Sequence, residues 1–143
     1  MNTATKSNNF FWPKITDLPS ATAASDLGFW AAVAVATITT VFATIALVAN
    51  TYILAIDAWA YFDAVLFALI AWRIRRRSGA FAVAGLCLFI FEKLIQFSQP
   101  EVASSGAVMA LLFLLFFING VRGTFAFHRY SREEAPAGVA QDV

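Results

Sequence analysis

The sequence predicts an all-α integral membrane protein, an up-down bundle of four helices. Three observations carry this. The 143 residues are 60% hydrophobic and 13% charged, with a mean hydropathy of +0.71, whereas a soluble domain carries about 25% charged residues. Four apolar segments approach or exceed the ~20 residues that cross a bilayer as a helix. The basic residues gather at alternate connections, as orientation by cytoplasmic charge requires.

Residues 1–26 form an interfacial or cytoplasmic lead. Within it, NNFFWPKITDLP places Phe10, Phe11 and Trp12 beside Lys14, and aromatic rings next to a lysine suit the headgroup layer. The first span, 27–48, carries no charge and is too long for a secretory signal core, so it reads as a retained helix. The second, 52–72, contains Asp57 and Asp63; the third, 80–97, contains Glu92 and Lys93; the fourth, 107–127, contains Arg122. Residues 131–143 read as a disordered tail beyond a four-helix domain at 27–130.

Short connections make successive helices antiparallel. Arg73, Arg75, Arg76 and Arg77 fill the second connection; Lys6 and Lys14 precede the first span, and Arg129 and Arg132 follow the last. All therefore fall on one side, which places both termini in the cytoplasm of a cell whose inner membrane holds the protein. The same arginines, Arg129 included, are expected to meet lipid headgroups.

Small residues at Gly28, Ala32, Ala36, Thr40 and Thr44 make a ridge on the first span. Such ridges let helix backbones approach closely. The second span offers Ala60, Ala64, Ala68 and Ala71, and the two ridges are expected to face one another or to serve a homodimer. Phe113, Phe116 and Phe117 are expected to pack toward lipid. Cys87, the single cysteine, lies in an apolar run, where a thiol packs inertly, and excludes an internal disulfide.

Polar groups inside a bilayer cost several kcal/mol unless paired or snorkelling. The candidates are Asp57, Asp63, Glu92, Lys93, Gln96, Asn119 and Arg122. Asp57 and Lys93 lie at similar depths and form one expected pair. Glu92 shares a stripe with Gly85, Gln96 and Gln99 that must avoid lipid. Arg122 has two outlets: cytoplasmic phosphates, or inward contacts with Asp63 and Asn119. Gly120 and Gly123 beside it either give room to a neighbour or loosen the helix end. A proton relay through Asp63 or Glu92 is the functional alternative, although neither a broken helix nor a repeat marks a transporter.

No phosphate loop, nucleophile elbow or HExxH motif is present, and a single histidine, His128, builds no His-based metal site. No cofactor, metal or catalysis is expected, and a net charge of +1 gives no reason to expect nucleic acid.

The run DAVLFALIAWRIRRRSGAFAVAGLCLFIFEK and the later GVRGTFAFHRY resemble a pattern in a family of small uncharacterised bacterial four-span membrane proteins that end in a GxRGTFxxHR-type motif. The resemblance covers about the last two thirds of the chain. It implies a four-span inner-membrane protein and no particular activity. The resulting expectation is a non-catalytic membrane protein acting by association, in a larger complex or as a homo-oligomer. The alternative is a small oligomeric transporter or channel using Asp63, Glu92 and Arg122.

Overall fold

A computed structural model describes residues 12–48, 59–98 and 106–139. Among them the chain is helical and has no strand: α1 (Leu18–Val48), α2 (Trp59–Arg75), α3 (Gly79–Phe97) and α4 (Ala107–Val139). Three of the four, α1, α3 and α4, are long and apolar enough to cross a membrane. The described part of α2 has 17 residues, and the start of the expected span 52–72 lies outside the described residues.

α1 begins at Leu18, well before the expected start at 27. The cause is local. Asp17 caps the helix: its Oδ1 accepts the Ser20 amide at 2.9 Å, while Ser20 Oγ accepts the amides of Thr16 and Asp17 at 3.0 and 3.1 Å. This reciprocal arrangement satisfies amides that a helix start otherwise leaves unpaired, so polar residues enter the helix ahead of the apolar run. At 31 residues, α1 is about 46 Å long, more than the ~30 Å of a hydrocarbon core. α4 likewise continues past the expected end at 127 as far as Val139, so residues 131–139 of the expected disordered tail are helical. Arg129 Nε donates to Glu133 Oε1 one turn on, at 3.1 Å, a spacing that supports helix.

The α2–α3 turn is tight. Ser78 N–H donates to Arg73 O at 3.1 Å and Arg77 N–H to Ile74 O at 2.8 Å, with Arg77 at φ 59°. These are the paired hydrogen bonds of a Schellman ending, with arginine at the left-handed position that glycine usually takes. Ser78 then opens α3, its carbonyl accepting the Ala82 amide at 3.1 Å.

The core lies where the helices meet. Phe67, Phe117 and Ile74 are its largest fully buried apolar side chains. Phe89 stands 5.2 Å from Phe117 and 6.3 Å from Phe113, ring centre to ring centre, and Phe67 stands 6.1 Å from Phe117. Phe117 is thus the centre of the core, not a lipid-facing ring as expected. Gly85 makes the room: a Cβ there would meet Ile70 at 2.7 Å and the Phe117 ring at 3.4 Å. Cys87 sits exposed on the outer side of α3, correcting the expectation that it is packed within the protein.

Candidate functional site

The polar residues singled out in the sequence divide among three places.

The first is the seam between α1 and α4. Gly28 and Gly120 touch, and Gly123 lies against the backbone of Ala21, Ala24 and Ser25. The glycines beside Arg122 therefore make room for α1. Thr124 Oγ1 donates its proton to Gly120 O at 2.8 Å, so the 2.9 Å contact with Ser25 Oγ has Ser25 as donor. Both hydroxyls are fully buried, as is Asn119. The Gly28 end of the small-residue ridge thus serves α4, while its outer half, Ala36 and Thr40, borders α2 beside Ala64 and Ala68. Only that half faces the partner expected from the sequence. Small residues in α4 compete for the other half, and a ridge reads identically toward either neighbour.

Arg122 flanks this seam. Its Nη1 donates to Asn119 Oδ1 at 3.0 Å, and its guanidinium lies 4.2 Å from the centre of the Trp12 ring. Among the described residues no ion pair joins it to Asp63, which corrects that expected partner. The reason is register. Asp63 meets Glu92, and Phe89 on the same helix meets Phe113. Arg122 therefore lies roughly 18 Å farther along the bundle, beyond the reach of its side chain. The segment before α1 covers it instead, and Tyr130 Oη donates to Ile15 O at 3.5 Å nearby.

The second place is the α2–α3 interface. Asp63 sits against the Glu92 carboxyl, and the charge of Lys93 acts on both. Lys93 Nζ donates to Gln96 Oε1 at 2.7 Å and lies 5.4 Å from the centre of the Phe89 ring. Glu92 Oε1 is buried without a hydrogen-bond partner among the described residues. Asp57, the expected partner of Lys93, and Gln99 lie outside the described residues. No group of three His, Cys, Asp or Glu side chains forms there or elsewhere among the described residues.

The third place was invisible in the sequence. Arg77 Nη1 pairs with Asp26 Oδ1 at 3.0 Å and donates to Thr22 O at 3.2 Å, both on α1. The Arg77 carbonyl accepts from His128 Nε2 of α4 at 2.6 Å, and its guanidinium lies 5.4 Å from the Phe127 ring centre. One residue of the turn thus ties three helices. The other arginines separate: Arg75 lies over Phe29 at 5.1 Å, whereas Arg73 and Arg76 lie 5.8 and 4.5 Å from the Trp72 ring centre. Asp26 had no partner readable nearby, since 51 residues separate it from Arg77.

Comparisons of the chain with protein-family models, curated proteins and solved structures return no match.

Proposed function

We propose that the chain is a four-span, up-down inner-membrane protein with both termini in the cytoplasm, and that it acts without catalysis by binding other membrane helices. Successive helices meet in reversed order: Phe29 with Arg75 and Thr44 with Tyr61, Asp63 with Glu92 and Ile70 with Gly85, Gly79 with Phe125 and Phe89 with Phe113, which supports the up-down reading. Arginines at the α2–α3 turn and after α4 support the orientation, and the GVRGTFAFHRY resemblance supports four spans in an inner membrane.

The observation that carries the association reading is the groove between α1 and α2. It is an open groove of about 450 Å³ whose floor is Ala36, Thr37, Thr40, Ala64 and Ala68, with the larger Val41, Tyr61 and Val65 also lining it. Thr37, Thr40 and Ala68 are exposed along it. Where lipid gives no hydrophobic drive between helices, small side chains that admit another backbone are what association uses. Ala68→Cys in a Cys87→Ser background, oxidised in native membranes, is expected to cross-link to a second copy or to a distinct subunit. Ala36→Leu should abolish the product. A chain that stays uncross-linked, and that leaves gentle detergent extraction as a monomer with nothing attached, sinks this reading.

The second reading, a transport path, is favoured by the buried Glu92 Oε1 beside Asp63. Arg122 is absent from that cluster, so the path would rest on Asp63, Glu92 and Lys93. Flux in proteoliposomes that vanishes in Glu92→Gln, with the fold intact, would favour it over association.

A further inference from the structure

The turn RIRRRS does not present four equivalent charges. Arg77 is turned inward to Asp26, with its side chain only 19% exposed. Arg75, also exposed, points off another side of the helix and reaches α1 at Phe29. Arg73 and Arg76 remain together, both exposed and both beside the indole of Trp72, with Arg73 also 4.7 Å from the Phe81 ring centre. The ion pairs among the described residues are Asp26–Arg77 and Arg129–Glu133, so no carboxylate among the described residues pairs with these two cations.

The surface leading to them is apolar. Phe62, Val65, Leu69 and Trp72 are each half exposed or more. Their spacing places them along one face of α2, and the stripe stops where Arg73 and Arg76 begin. A greasy track capped by an amphipathic ring and two guanidiniums has the shape of an amphiphile whose charged end is anionic. Guanidinium groups pair readily with phosphate oxygens.

We propose that Arg73 and Arg76, set around Trp72 at the end of α2, bind the phosphate of an anionic membrane phospholipid whose acyl chains lie along the Phe62–Trp72 stripe. This rests on the membrane reading and is independent of the association reading. It goes beyond orientation by charge, which treats all the arginines of the turn alike.

The test uses the full chain in neutral detergent with equal phosphatidylcholine and phosphatidylglycerol, the retained lipid being counted by native mass spectrometry. The wild type is expected to prefer phosphatidylglycerol by on the order of tenfold. Arg73→Gln/Arg76→Gln should lose that preference, and Arg75→Gln should keep it. If the double variant loses its helical signal, the single variants Arg73→Gln and Arg76→Gln are each expected to weaken the preference. Millimolar inorganic phosphate should leave the retained lipid in place. Equal loss in Arg75→Gln and in the double variant, displacement by inorganic phosphate, or no preference in the wild type would each overturn the proposal. A chain that enters no bilayer, phosphatidylcholine vesicles included, would instead sink the membrane reading beneath it.

Discussion

Gly28 and Gly120 meet backbone to backbone: a Cβ on Gly28 would stand 2.7 Å from Gly120 Cα, and one on Gly120 would stand 2.5 Å from Gly28 Cα. Neither neighbour is a flexible side chain that can swing aside, so any larger residue must push the helices apart. Gly120→Ala is expected to destabilise the protein by about 1–3 kcal/mol through overpacking. Reversible unfolding in mixed micelles measures this. An unchanged midpoint would show that α1 and α4 do not pack as described.

The Ser25 hydroxyl donates across the same seam to Thr124. Ser25→Ala and Thr124→Val should each weaken the fold, and a double-mutant cycle should return a coupling of about 0.6 kcal/mol, the usual size for such bonds between membrane helices. A coupling indistinguishable from zero would remove the bond from the account.

Arg77 holds two roles that substitution separates. Its φ of 59° is strained for any residue with a Cβ, by about 1–2 kcal/mol. Its side chain pairs with Asp26. Arg77→Ala loses the pair and keeps the strain; Arg77→Gly loses the pair and relieves it. The glycine variant should therefore be more stable than the alanine variant by about 1 kcal/mol. The reverse order in thermal unfolding would contradict the Schellman turn.

Arg122 is expected to report on Trp12. With the guanidinium 4.2 Å from the indole centre, Arg122→Gln should shift the emission of Trp12, read in a variant where Trp30, Trp59 and Trp72 are replaced by phenylalanine. The loss in stability should be small, about 0.5–1 kcal/mol, for a contact with a half-exposed ring. Identical spectra with and without Arg122 would place the N-terminal segment elsewhere.

The helices themselves were legible because hydropathy over ~20 residues is a strong signal. Their ends were not. Asp17 and Ser20 start α1 by hydrogen bonding, which a hydropathy window averages away. Partnerships were the least legible. The alanine and threonine ridge named the right residues, but α1 turns Gly28 to α4 and Thr40 to α2, a division that depends on where two helices cross. The helical wheel of α2 turns Asp63 away from the alanine ridge toward another neighbour, for which a long-reaching Arg122 is the sequence's candidate; the register between α2 and α3 gives it Glu92 instead. Asp26 in α1 and Arg77 in the α2–α3 turn form a link of large sequence separation; in the sequence one reads as polar flank and the other as part of an orienting cluster. In the sequence Phe117 is indistinguishable from its neighbours Phe113 and Phe116; the space left by Gly85 on α3 is what sets it in the core.

The meeting of Gly28 with Gly120, followed by Gly123 against Ala24, also limits how this molecule can move. Atoms of the two main chains already touch, so sliding one rod lengthwise past the other would drive Ala24 or Ser25 into the opposing coil. The crossing angle is held too, because the contact has length: Ser25 bonds Thr124 beyond the glycines, and Arg77 fastens Asp26 of one rod and His128 of the other. The joint behaves like a keyed shaft.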